Sequence, residues 1–326
     1  PLTQAVGHAV EGGGERRHLV FATHVELHVE VPGGNLPGGA RQRFDGRGER
    51  ARQQERRADA GAGGDQAEQH ETELDVAIRR QREIERLKPF IRTTPSLAIW
   101  DDHDFGINDS DRTNPIREQS LALFKNYWAN PSYGLPSTAG IFFKYAYGGV
   151  DFFFLDGRYN RDPASAPDVA GKTMLGGEQK AWLKDELRAS RAPFKVLVSG
   201  GGFSKAERGG DSWAVYTHER DELFDFIRDN RIEGVFGISG DSHMGELNCV
   251  PRSEQNAYDF YDLCSSPLAN FPDSDFVDQM PEVRIRGTYT RSCNIGLLDF
   301  NFDDGPRLSY TLHSMIGAPV WEPLVL

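Results

Sequence analysis

Long apolar runs are missing from this sequence: none reaches the roughly 18 to 20 residues that a membrane-spanning helix requires, so no span is expected. Cysteine is scarce. The three present, Cys249, Cys264 and Cys293, lack the close spacing of a zinc ribbon or a CxxC redox pair. One disulfide with a free thiol and three buried thiols both remain open. Positive charge is also short, with 37 Lys and Arg against 49 Asp and Glu, a formal net charge of −12 and a pI of about 5.3. A field of that sign repels phosphate backbones, so duplex nucleic acid is not an expected partner. An anionic ligand would need local cations. The triple glycine at Gly200–Gly202 has no phosphate-loop lysine at the spacing such a loop needs. The chain opens at Pro1 without a basic-then-apolar leader, so no signal peptide is visible.

Lysine is absent from residues 1–74 although nine arginines and five of the nine histidines fall there. This Gly-, Ala-, Gln- and Glu-rich stretch is set apart as an atypical segment, either disordered or the product of a wrong reading frame in a GC-rich gene. Its one patterned piece runs from His18 to Val31 and alternates like a strand in its second half. His24 and His28 have the spacing of a zinc pair on a helix, but β-branched alternation argues against a helix. The remaining residues, 75–326, are expected to form one domain.

What is present begins with Ser96–Asp111, SLAIWDDHDFGINDSD. An apolar run, Leu97–Trp100, has the length of a buried strand and stops at Asp101-Asp102-His103-Asp104. Crowded ionisable groups repel and lose hydration, so a fold retains them only where a cation or hydrogen-bond network compensates. A solvated acidic turn is the plainer alternative, with Gly106, Asn108 and Asp109 as turn residues. A second strand pattern, Glu233–Ser239, ends in Gly240-Asp241-Ser242-His243. If the strand continues, Asp241 and His243 share a face, an oxygen and a nitrogen donor, and Ser242 faces away. Two strand tips of this kind suggest one site at the carboxyl edge of one sheet.

Helices are expected at about 76–90, 116–129, 178–189 and 217–230, with Thr217 capping the last. Strands are expected at 141–147 and 150–155, joined by Gly148-Gly149, and at 194–198, 258–264, 294–300 and 308–312. Arg158 follows the second of these and is a candidate for gripping a phosphate; pairing with Asp156 or Asp162 is the structural alternative. An alternating first half and a β-rich second half suggest two packed sheets flanked by helices, an α/β (α+β) class.

The motifs TPSLAIWDDHDFGINDSD, FKNYWANPSYG, VDFFFLDGRYNR, KTMLGGEQKAWLKDEL, APFKVLVSG and GDSHMGEL, in this order, resemble the PhoD-like alkaline phosphatases of the metallophosphoesterase superfamily over about residues 75–313. The resemblance implies a four-layer α/β/β/α sandwich of two mixed sheets, and a phosphoesterase using a metal-activated hydroxide on small phosphate monoesters or diesters. It implies two or more divalent or trivalent ions, Ca2+, Fe3+ or Mn2+, and a periplasmic or secreted location. Carried over by residue, Asp101, Asp102, Asn108, Asp241 and His243 become metal ligands. His103 protonates the leaving oxygen, oriented by Asp104, and Arg158 contacts the phosphoryl group. The family's earlier metal motif, a Gly-Asp followed by an aromatic residue, has no good counterpart: Gly64-Asp65-Gln66 is followed by Ala67-Glu68. That departure motivates two alternatives, a catalytically impaired remnant that binds a metal or an anion, and a structural domain whose acidic turns hold calcium.

Overall fold

A computed structural model describes residues 16–21, most of 74–93, and all of 94–204, 212–273 and 283–326. Strand β1 (Arg16–Phe21) falls inside the stretch set apart by composition, and it pairs antiparallel with β8 (Asn294–Asn301). His24, His28 and Gly64–Gln66 lie outside the described residues.

The helix expected over 76–90 is broken. Helical residues at 74–76, 78–80 and 82–83 are separated at residues 84–85 from α1 (Lys88–Thr93). The strand expected at Leu97–Trp100 is a correction: these residues are largely buried but belong to no sheet. Ala98 donates its N–H to Asn130 Oδ1 at 3.1 Å, and Asn130 Nδ2 donates back to the Ala98 carbonyl at 2.8 Å. One amide side chain thus satisfies the backbone as a neighbouring strand would. An apolar run reports burial and says nothing of which groups take its hydrogen bonds.

One helical turn, α2 (Asp102–Phe105), follows directly, and α3 (Arg117–Tyr127) comes next. Phe105 packs on Trp100 with ring centroids 5.0 Å apart, and its carbonyl accepts from Ser120 Oγ and Asn114 Nδ2. These contacts fasten the acidic turn to α3. Strands β2 (Phe143–Tyr147) and β3 (Val150–Phe154) form the expected hairpin, with Gly148 and Gly149 at φ of 58° and 84°. Positive φ at both turn positions is why the pair is glycine.

Helix α4 (Gly177–Ala189) leads to β4 (Phe194–Val198), and α5 (Thr217–Asp229) to β5 (Val235–Ser239). Thr217 is capped rather than capping: Asp168 Oδ2 accepts from its N–H at 2.8 Å and its hydroxyl at 2.5 Å. Strands β6 (Glu246–Val250) and β7 (Phe260–Cys264) complete a six-stranded sheet in the order β2-β3-β4-β5-β7-β6. Its four inner strands are parallel and the two edges antiparallel. A second sheet, β1-β8-β9-β10, is antiparallel throughout, with β9 at Arg307–Ser314 and β10 at Leu324–Val325.

Side chains alternate across β3 and β4 as strand geometry demands. Phe153 and Leu197 join Leu183, Leu187, Leu223 and Phe224 of α4 and α5, while Phe152, Val196 and Val198 join the core with Leu298, Phe300 and Leu308 of the second sheet. Phe300 sits edge-on to Phe152 at 6.4 Å and tilted on Phe194 at 5.3 Å. These contacts define three layers, helix on sheet on sheet. The fourth layer of an α/β/β/α sandwich is not among the contacts of the described residues.

Candidate functional site at the carboxyl edge of the parallel strands

Because β3, β4, β5 and β7 run parallel, the residues just beyond them lie side by side. Asp156 and Arg158 follow β3, Ser199 and Gly200 follow β4, Gly240–His243 follow β5, and Ser265 and Ser266 follow β7. Gly200 is where the two predicted stretches meet. Its carbonyl accepts from Gly240 N at 2.9 Å, and a Cβ placed on it would lie 2.8 Å from Asp101 Cγ. Gly200→Ala is therefore expected to push the acidic turn outward and lower stability by about 1–3 kcal/mol, read as a shift in the urea midpoint.

Among the described residues, the acidic turn is compensated by one guanidinium and by backbone N–H groups. Arg158, 1 % exposed, donates from Nε to Asp101 Oδ1 at 2.7 Å, and its second terminal nitrogen lies 2.5 Å from the same oxygen. Its other terminal nitrogen reaches the Ser110 carbonyl at 3.3 Å. Neither Asp156 nor Asp162 is its ion-pair partner: Asp162 is held by Arg112 at 2.7 Å. Asp102 accepts from the N–H of His103 at 2.7 Å and of Asp109 at 3.1 Å. Asp104 accepts from the Asp101 N–H at 3.2 Å, so it closes the helical turn, and Asp102 Oδ2 lies 3.8 Å from the His103 ring. Arg82, stacked over Trp128 at 4.5 Å and Tyr127 at 5.0 Å, has its pKa lowered by burial while the Tyr127 and Asp104 charges pull it upward.

Asp156 is the organising group that the sequence pattern did not single out. Its Oδ1 accepts from Trp100 Nε1 at 2.8 Å and from the N–H groups of Arg158 and Tyr159 at 2.9 Å, and its Oδ2 accepts from Ile141 N at 2.9 Å. Burial raises its pKa, opposed by those same hydrogen bonds. Asp262, on β7, performs a similar task three strands further along the sheet. It accepts from Phe203 N, Ser204 N, Ser204 Oγ and Ser239 Oγ, tying the loop after β4 to β5, and burial again raises its pKa against these donors. A charged residue inside a buried strand is the signal that could have found it.

The GDSH stretch is not a continued strand. Asp241 and His243 have φ of 64° and 55°, left-handed values that cost a non-glycine residue about 1 kcal/mol or more. Ser242 is buried, its hydroxyl donating to the Met244 carbonyl at 2.9 Å and lying 3.2 Å from Cys264 Sγ. His243 donates its N–H to Ser266 Oγ at 3.0 Å, and its ring lies 3.2 Å from Asn270 Nδ2. Asp241, His243 and Asn108 are partly exposed at the edge, whereas Asp101, Asp102 and Asp104 are buried.

Donor chemistry alone suits a hard ion, with oxygens on Asp102, Asn108 and Asp241 and a nitrogen on His243. Yet among the described residues no three His, Cys, Asp or Glu side chains gather around one point, and Asp101 is bound to Arg158. The described residues do not complete a metal centre.

A parallel-centred sheet packed on a second sheet, with carboxylates and imidazoles beyond its strand ends, is an α/β scaffold of the kind that binds ligands at that edge. The chain belongs to the PhoD-like phosphatase family, whose model matches residues 49–292, starting inside the stretch that composition set apart. It is similar to alkaline phosphatase D of Bacillus subtilis (strain 168), 26 % identical over an alignment 181 residues long that covers 46 % of this chain and 31 % of that protein. It also resembles the solved structure titled "Structure of PhoD", with a TM-score of 0.51 and 16 % identity over 68 % of this chain and 54 % of that one. The chain thus spans about a third of the length of the curated relative and about half of the solved structure. No helix among the described residues is long and apolar enough to cross a membrane.

Proposed function

We propose that this chain hydrolyses phosphoric esters of small substrates, an alkaline phosphatase or phosphodiesterase activity, at the edge where the acidic turn meets the GDSH loop. One observation carries the reading beyond family membership: Gly200 touches both stretches, its carbonyl accepting from Gly240 N while its Cα lies against the Asp101 carboxyl. His103 has a side chain 32 % exposed beside Asp102 Oδ2. Its imidazole is the group placed to donate a proton to the departing alkoxide. Asp241 and His243, held in left-handed backbone and partly exposed, add a carboxylate and an imidazole to the same edge. Dependence on Ca2+, Mn2+ or Fe3+ is the expectation that the resemblance carries. Among the described residues, Asp102, Asn108, Asp241 and His243 carry the donors that such an ion would use.

The test is hydrolysis of an aryl phosphate and an aryl phosphodiester, with and without each ion, in wild type, His103→Ala and His243→Ala. His103→Ala is expected to lower kcat by about 10²- to 10⁴-fold for a poor leaving group and far less for a nitrophenolate, which departs without a proton. Equal rates in wild type and both variants would remove the site. A second reading, a catalytically impaired member that binds metal or anion without turnover, is favoured by the Asp101–Arg158 pair. Its signature is phosphate binding in a titration with no hydrolysis above buffer under any ion.

A further inference from the structure

The loop that follows β7 holds His243 at three points. Ser266 Oγ accepts the His243 N–H at 3.0 Å, the Asp273 N–H donates to the His243 carbonyl at 2.9 Å, and Asn270 Nδ2 lies 3.2 Å from ring Nε2 and 3.4 Å from Nδ1. The first two contacts secure a backbone in the left-handed region, which a residue other than glycine keeps only where its surroundings hold it there. The third reaches the imidazole itself.

Which end of the Asn270 amide meets the ring follows from its neighbour. Asn270 Oδ1 accepts from the Phe271 N–H at 2.7 Å, and turning the amide over would set donor against donor. The amide nitrogen therefore faces the imidazole. Since that nitrogen only donates, it meets a ring nitrogen carrying a lone pair, and a donor fixed beside an imidazole selects one tautomer and one ring orientation. Asn270 is 9 % exposed, so water does not readily take its place. Its loop is fastened from the second sheet: Asn294, the first residue of β8, donates from Nδ2 to the Ser266 carbonyl at 2.5 Å and from its N–H to the Pro267 carbonyl at 2.9 Å, while Cys293 Sγ donates to the Asn270 carbonyl at 3.3 Å. One sheet delivers His243, and the other helps to set where its ring lies.

We infer that Asn270 is a positioning residue of the site: it fixes the His243 ring at the carboxyl edge so that the imidazole meets the ester in a single orientation. The inference rests on the reading of that edge as an ester-hydrolysing site. No sequence motif singles Asn270 out, since it reaches His243 from 27 residues further along the chain.

Hydrolysis of an aryl phosphate by the full chain gives the first test. Asn270→Ala is expected to lower kcat/KM by about 10- to 100-fold, the scale of a misplaced reacting group. The Asn270→Ala/His243→Ala double variant is expected to match His243→Ala within about twofold, because the asparagine acts through the ring. Asn270→Ser keeps an oxygen near the Phe271 N–H but has no nitrogen for the ring, and is expected to behave as Asn270→Ala does. The second test needs no turnover: nitrogen resonances of the 15N-histidine-labelled chain, recorded with EDTA at about pH 8, where an ordinary imidazole is neutral. The two His243 ring signals, assigned by their loss in His243→Ala, are expected to be well separated in wild type and drawn together in Asn270→Ala and Asn270→Ser as the tautomers average. Independent, multiplying losses in the double variant overturn the inference, as do wild-type rates in Asn270→Ser or a ring-signal separation that neither variant changes. If wild type hydrolyses nothing with any ion, the proposed activity fails and the ring signals alone decide the role of Asn270. If Asn270→Ala does not fold, Asn270→Ser carries both measurements.

Discussion

Replacing Arg158 by methionine is expected to lower the stability of the domain by about 3–5 kcal/mol, because it leaves the Asp101 carboxylate buried with its guanidinium removed. The arginine is 1 % exposed and meets Asp101 at 2.7 and 2.5 Å, so the loss is not softened by solvent. Adding Asp101→Asn removes the stranded charge. The double variant is therefore expected to be more stable than Arg158→Met alone, with a coupling of about 1–3 kcal/mol in a double-mutant cycle. Urea unfolding followed by fluorescence gives both numbers, provided that the slope is unchanged. A cycle with no coupling would mean that the pair does not hold the acidic turn. An exposed pair provides the contrast: Arg188 and Asp185, 2.9 Å apart on α4, should change stability by less than about 0.5 kcal/mol when either is replaced.

Asp156→Ala is expected to be as damaging, by a different route. It strands four donors at once, on Trp100, Ile141, Arg158 and Tyr159, in a site with no exposed surface. An unsatisfied buried donor costs about 1–3 kcal/mol, and even with partial relaxation a total near 4 kcal/mol is expected. Asp156→Asn keeps one acceptor oxygen, enough for the three donors on Oδ1, but sets an amide N–H₂ against the Ile141 N–H. Its cost is expected near that of one lost acceptor, about 1–3 kcal/mol. Near-ultraviolet circular dichroism from Trp100 reports the local change, and a normal Trp100 signal in Asp156→Ala would refute the assignment.

These two residues show where reading a sequence stops. The strand patterns at 150–155, 194–198 and 233–239 were legible because fully buried parallel strands are short continuous apolar runs. So was the hairpin at Gly148-Gly149. The family was legible too, since its motifs recur in order, and the model match over residues 49–292 bears this out. Leu97–Trp100 misled because the same apolar run can be buried without joining a ladder. The GDSH loop misled because alternation was extended past Ser239 into residues whose backbone is left-handed. No local pattern marks that change at Asp241, a residue that tolerates both conformations.

Burial and residue chemistry were in the sequence by itself: which runs are apolar, where carboxylates and histidines cluster, and that this cluster needs compensation. What compensates it was decided by tertiary structure. Arg158 lies 57 residues from Asp101 and Asp156 lies 56 from Trp100, while Gly200 brings the two motifs together from a third strand end. Electrostatic and hydrogen-bond partners are chosen by proximity in space, and a linear chain does not carry that proximity until parallel strands set their ends side by side.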